Sequence, residues 1–184
     1  MNIDNELIDT EFIEFIEKEN ECHIQPEVDL NVVLNLLIKE NISVKVHNDG
    51  GFTGLATLWG LYFNLHNLWK YPNILKYYII LHEIGHIKRI KKYGESFVLS
   101  AFSEDDFDKF SDSIINEEIL ADRYASFAYY QLTGELFPIS YTQKLHLPEY
   151  RERYKNMLKS HHTNIDNDIE KYKEQLKEQF NIDV

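Results

Sequence analysis

Apolar residues recur at helical intervals from the start of the chain. Ile3, Leu7, Ile8, Phe12, Phe15 and Ile16 predict a short amphipathic helix, and Asp29 is placed to cap a second helix running through Val32, Val33, Leu36 and Leu37 to Glu40. The period then changes. Ile42, Val44 and Val46 alternate with Ser43, Lys45 and His47, the two-residue repeat of a strand. Asp49-Gly50-Gly51 makes a turn, Phe52 to Leu58 reads as a second strand, and Trp59-Gly60 reverses the chain into a third from Leu61 to His66. A small antiparallel sheet is expected, with Leu61, Phe63 and Leu65 facing the core and Tyr62, Asn64 and His66 on the other face. After Pro72, which suits a first helical turn, Ile74, Leu75, Tyr78, Ile79, Leu81, Ile84, Ile87 and Ile90 give a long apolar face that ends at Gly94. Ile114, Ile115, Ile119, Leu120, Tyr124, Phe127 and Ala128 predict a further helix, with Ser111, Asp112 or Ser113 to cap it. Past Pro138 and Pro148, Glu149 to Lys159 reads as a charged helix, and Ile165, Ile169, Tyr172, Leu176 and Phe180 form a final amphipathic segment. The expected fold class is α+β: one domain over residues 1–138, and a helical extension over 139–184 packed against it.

Composition supports that picture and narrows the partners. A chain of 184 residues, 43% hydrophobic and 14% aromatic, is long and apolar enough to bury one sizeable core. The formal net charge of −12 argues against a nucleic-acid footprint, since phosphate binding is driven by Lys and Arg. A lone Cys22 excludes an intramolecular disulfide. The first residues lack the basic region and apolar run of a secretory signal, and no stretch approaches a membrane span, so a cytoplasmic location is expected.

The candidate chemistry lies in Leu81-His82-Glu83-Ile84-Gly85-His86. On a helix, residues four apart lie about 40° apart around the axis, so His82 and His86 can grip one metal ion, while Glu83, about 100° away, is better placed to touch a water on that metal. Gly85 costs a helix about 1 kcal/mol relative to Ala, which makes sense if another segment packs closely against its backbone. A catalytic zinc normally takes three protein ligands and keeps one position open, so a third donor is required. Glu118, Ala121, Asp122 and Ala125 form one stripe on the later helix, and the two alanines allow a close approach. Glu118 is the preferred third ligand, Asp122 one turn on can orient a ligating histidine through its second ring nitrogen, and Glu117, about 100° off the stripe, ranks second as a ligand. The bland alternatives are a buried helix whose histidines are satisfied by hydrogen bonds, and an acidic first turn that complements the helix dipole. The adjacent His161-His162 pair does not share a helical face. His146 or a tyrosine is available to stabilise an oxyanion, and the residues do not choose between them.

His82-Glu83-Ile84-Gly85-His86, followed by Glu118-x-x-Ala121-Asp122-x-Tyr124-Ala125-x-x-Ala128, resembles the ImmA/IrrE family of bacterial and phage metallopeptidases over about residues 28–138. The resemblance implies a zincin-like fold related to the thermolysin-type proteases. It also implies zinc held by His82, His86 and Glu118, a catalytic Glu83, and Asp122 behind the ligands. The chain departs from the family after the second helix. Members often continue with two leucines and a Met-Pro, where this chain runs Tyr129-Tyr130-Gln131-Leu132-Thr133-Gly134-Glu135-Leu136-Phe137-Pro138. The implied activity is zinc-dependent endopeptidase cleavage of a helix-turn-helix repressor of stress or mobile-element genes. No such DNA-binding unit is evident in this chain, so the repressor would be a separate protein. An exposed strand edge before the metal-binding helix would hold an extended substrate, with Tyr62, Asn64 and His66 as candidate contacts. Two rival readings remain: a zinc-containing interaction module without proteolysis, and a SprT-like protease of DNA-bound proteins, which would call for a third histidine and a basic surface.

Overall fold

The helical periodicities resolve into α1 (Thr10–Cys22), α2 (Asn31–Lys39), α3 (Leu65–Trp69), α4 (Asn73–Tyr93), α5 (Phe107–Thr133) and α6 (148–159). Among the described residues, three strands complete an α-rich fold: β1 (Val44–Val46), β2 (Gly54–Thr57) and β3 (Gly60–Phe63). This computed structural model describes residues 7–22, 29–48, 53–93, 107–137, 144–145 and 147–159. The expectations for Ile3, the Asp49-Gly50-Gly51 turn, Gly94, Pro138, His146, His161-His162 and the segment 165–180 lie outside those residues.

The sheet is mixed rather than antiparallel, with strand order β1-β3-β2. β2 and β3 form the expected hairpin, pairing Gly54 with Phe63 and Thr57 with Gly60. β1 lies on the far side of β3 and parallel to it, in register from Val44 opposite Leu61 to Val46 opposite Phe63. Alternation of apolar and polar residues sets which face of a strand is buried but not which neighbour it takes, so the parallel pairing was not readable from it. The chain before α1 adds to the outer edge of β1: Val44 N–H donates to Leu7 O at 2.8 Å and Asp9 N–H to Val44 O at 2.9 Å. The Asp9 carboxylate closes that seam by accepting from Val46 N–H at 2.6 Å. Leu7 and Ile8 are thus extended, and the first helix starts only at Thr10.

The third strand stops at Phe63, three residues early. Asn64 Oδ1 accepts from Asn67 N–H at 3.0 Å, the side-chain cap that starts α3. Asn64 is therefore buried and His66 is helical. α5 also begins earlier than expected, at Phe107, so Ser111, Asp112 and Ser113 lie within the helix and not at its cap. Ser111 Oγ bonds back to Asp108 O at 2.9 Å, which satisfies the hydroxyl inside the helix. Asp29 does sit at the start of α2, accepting from Asn31 N–H at 2.9 Å.

α4 runs through the core, burying Tyr77, Ile80, Leu81 and Ile84 against residues that include Phe12, Leu37 and Phe63. A buried ion pair between Lys76 and Glu19 ties α4 to α1, with the Lys76 ammonium 5.2 Å from the centre of the Trp69 ring. On its other side α4 meets α5 almost backbone to backbone. A Cβ at Gly85 would stand 2.9 Å from Ala121 O, 3.0 Å from Ala121 Cα and 3.2 Å from Tyr124 Cβ. α6 rests on α5 through Tyr154, which packs on Ile115, Ile119 and Leu145, and through Arg151 and Lys155, each 3.1 Å from Asp112.

The Gly85 contact gives a prediction whose sign opposes helix propensity. On propensity alone, Gly85→Ala would stabilise α4 by about 1 kcal/mol. Because the new methyl group meets backbone that cannot rotate away, the expected net effect is a loss of about 1–3 kcal/mol. Urea unfolding of the two proteins measures it, and a more stable variant would refute the close contact.

Candidate metal centre

One helical turn separates His82 from His86 on α4, and the Gly85 contact brings α5 close enough for Glu118 to reach both. His82 Nε2 lies 3.1 Å from His86 Nε2 and 3.3 Å from Glu118 Oε2, and His86 Nε2 lies 3.6 Å from Glu118 Oε1. Ligands bound at about 2.0–2.1 Å around a tetrahedral ion stand about 3.3 Å from one another. The three side chains therefore already have the spacing of three corners of such a shell. Among the described residues, His82, His86 and Glu118 form the one group of donors able to share an ion. Two imidazoles and a carboxylate are a donor set that zinc accepts readily.

The charges agree with the distances. Burial disfavours a charged imidazole at His82, but its contacts with the Asp122 and Glu118 carboxylates and the charge of Glu83 outweigh that, pushing its pKa up to about 10. At His86 burial wins, and the pKa falls to about 4. Burial also opposes a charged Glu118, yet the neighbouring His82 and His86 hold it below the usual carboxylate range. The two imidazoles and the Glu118 carboxylate thus face a common point, where a divalent cation would displace any proton they hold.

Behind the ligands, Asp122 Oδ1 lies 3.8 Å from His82 Nδ1, longer than a hydrogen bond but close enough for strong attraction. Asp122 is itself held: Tyr78 donates its hydroxyl to the Asp122 carboxylate, stands 3.2 Å from Asp122 O and lies 3.3 Å from Ser126 Oγ. The residue pattern had placed Tyr78 only on the apolar face of α4. Its position four residues before His82, on the same face, was the available signal. Glu117 points elsewhere, into a two-pronged pair with Arg89 at 2.5 Å and 2.8 Å. That pair takes Glu117 out of contention as a ligand.

Glu83 is half-buried, and its carboxylate ends against β2, where it accepts a hydrogen bond from the backbone of Ala56. Burial raises its pKa to about 7, with help from the Glu118 charge and against the pull of His82 and the Ala56 N–H. A Cβ at Gly54 would come within 2.8 Å of Glu83 Cγ, so the stem of Glu83 passes directly beneath that glycine. A glycine inside a strand pattern is a recognised sign of such an approach, and Gly54 offered that hint. The centre opens into a cleft of about 460 Å³ lined by His82, Glu83 and Glu118 together with Tyr71, Leu75, Ile79 and Phe137. Tyr62, Asn64 and His66 are not among its lining residues. Asn64 serves the α3 cap instead, and His66 sits on that helix.

No family model, curated protein or solved structure matches this chain, so the chemistry of the centre rests on its own residues.

One zinc per chain is expected by elemental analysis. His82→Ala, His86→Ala and Glu118→Ala should each weaken binding by about 100-fold or more, since two donors cannot complete the shell. Glu117→Ala should leave zinc affinity unchanged. Asp122→Asn should lower it by about 10- to 100-fold, the usual cost of disturbing a group that orients a ligand. Isothermal titration against a competing chelator reads all five, and zinc lost from Glu117→Ala but kept by Glu118→Ala would reassign the third ligand.

Proposed function

We propose that this protein is a zinc-dependent endopeptidase with a zincin-like fold, acting on a separate helix-turn-helix transcriptional repressor of a stress-response or mobile-element system. The observation that carries the peptidase reading is the relation of Glu83 to the donor group. His82, His86 and Glu118 converge within ligand spacing, and the Glu83 carboxylate stands beside them without joining them. A site whose metal only stabilised the fold would close its fourth position with another ligand and need no adjacent base.

His82, His86 and Glu118 would hold the zinc, with Asp122 and Tyr78 fixing the orientation of His82. When bound, zinc supplies Lewis acidity, polarising a peptide carbonyl and lowering the pKa of water from about 15.7 towards 7. Glu83, beside the ligands but not among them, is suited both to take a proton from attacking water and to return it to the departing amine. β2 borders the cleft through Thr53 and Gly54, and among the described residues its outer edge pairs with no other strand. An extended peptide added there would pair with the outward backbone groups of Gly54 and with Ala56 O, since Ala56 N–H is taken by Glu83, and would lie across the metal position.

The substrate class follows from the resemblance of the two motifs to the ImmA/IrrE family, supported by the net charge of −12, which favours a protein target over nucleic acid. The glutamate at position 118 and that acidic balance both oppose the SprT-like reading, which calls for a third histidine and a basic surface.

The test is incubation of the zinc-loaded protein with the helix-turn-helix repressor encoded beside its gene, with products mapped by mass spectrometry. Wild type should make one or a few cuts in a linker or exposed loop and cut casein poorly. Glu83→Gln should keep zinc and fold but lose about 100-fold or more in rate, because the proton carrier is gone and the ligands remain. Stable binding of intact repressor by both proteins, with no cutting by either, would replace the peptidase by an interaction module.

A further inference from the structure

The backbone of β2 has two faces, and they differ in what they meet. Asn64 N–H donates to Thr53 O at 3.0 Å, which fixes the alternation of the β2–β3 ladder. Thr53, Leu55 and Thr57 direct their backbone groups at β3, and the intervening Gly54 and Ala56 direct theirs outward. The partners across the ladder agree: Leu61 N–H, opposite Ala56, donates away from β2 to Ser43 O at 2.8 Å, and Phe63 O, opposite Gly54, accepts from His47 N–H at 3.0 Å. The Ala56 backbone group that meets Glu83 therefore belongs to the outer edge of the sheet.

Glu83 reaches that edge by a narrow route. Its stem passes under Gly54, where a Cβ would stand 2.8 Å from Glu83 Cγ, 3.0 Å from Glu83 Oε1 and 2.9 Å from Phe63 Cε1. Phe63 is fully buried, so its ring cannot swing aside to make room.

We propose that β2 is the positioning element for Glu83, with Gly54 leaving space for the stem and the outward N–H of Ala56 holding the carboxylate beside the metal ligands and off the metal. The catalytic meaning of this placement rests on the peptidase reading; the placement itself does not. Without the Ala56 bond the stem of Glu83 would still be confined beneath Gly54, but the carboxylate at its end would be free to turn towards His82 and His86. A methyl group at position 54 would push the stem out of its track and break the bond to Ala56.

Two measurements test this. Amide exchange followed by NMR reads the bond without reference to activity. In Glu83→Met, which keeps the stem and removes the oxygens, the Ala56 amide should exchange about 10-fold or more faster, while Leu55 and Thr57, bonded to β3, should not change. An Ala56 amide indifferent to that substitution overturns the proposal. Kinetics on the zinc-loaded protein reads the positioning. Gly54→Ala should retain zinc affinity within about 3-fold and lose about 100-fold in kcat, as expected for a displaced catalytic group. In a Glu83→Met background the same substitution should lower residual cleavage no further. A proportional second loss would assign Gly54 a merely structural role and overturn the claim, as would full kcat in Gly54→Ala. If Gly54→Ala does not fold, the Ala56 exchange rate in Glu83→Met decides alone. A wild type inert on the repressor would count against the peptidase reading, and the exchange result would still decide where Glu83 is held.

Discussion

The contact of Gly85 with the backbone of Ala121 is the constraint on which the centre depends. Helix pairs usually stand 8–10 Å apart, the distance being set by the side chains between them. Here a glycine faces an alanine, and the next turn of α5 presents Ala125, also buried. With little between the two axes, the carboxylate of Glu118 needs no extended reach to come within 3.3 Å and 3.6 Å of the two imidazoles. The glycine in the middle of α4, which weakens the helix locally, is thus compensated by the approach it permits.

The same closeness gathers many ionisable groups around one helix contact. Four carboxylates and two imidazoles lie on adjoining turns of α4 and α5, and each has a partner that offsets its lost hydration. Glu118 lies between His82 and His86, Asp122 takes the Tyr78 hydroxyl, Glu117 takes Arg89, and Glu83 takes the backbone of Ala56. Shifted groups gathered at one place, here His82, Glu83, His86 and Glu118, are typical of a functional site, and the donor group of His82, His86 and Glu118 has no counterpart elsewhere among the described residues.

Much of this was legible in the residues, and the pattern of failures is physical. The i, i+4 spacing of the histidines, the stripe through Glu118, Ala121, Asp122 and Ala125, and the unexplained Gly85 all follow from helical geometry, which relates residues a few positions apart. That geometry also put Glu118, and not Glu117, on the face of α5 that meets the two histidines, although nothing local could supply Arg89 as the partner of Glu117. Where the answer depended on distant chain, the residues were silent. The apolar alternation around Val44 marked a strand but not its parallel partner, and the alternation in Leu61–His66 hid the capping role of Asn64. Tyr78 looked like core because its ring is core; only its hydroxyl serves the centre. Ser111, Asp112 and Ser113 looked like caps because such residues favour helix starts, but inside the helix Ser111 turns its hydroxyl back onto Asp108 O.

The two edges of the sheet are treated differently, and the difference bears on solubility. β1 is covered by the chain's own residues 7–9, paired to Val44 as an extra strand would be. β2 has no such cover among the described residues, and an open edge invites pairing with a second molecule. What it has instead is the carboxylate of Glu83 lying over one of its two outward residues. An acidic side chain at an edge is one of the devices by which proteins discourage strand-to-strand aggregation. The group that the proposed reaction needs therefore also guards the edge on which it rests, and neutralising it for substrate trapping would leave the protein more prone to self-association than its parent.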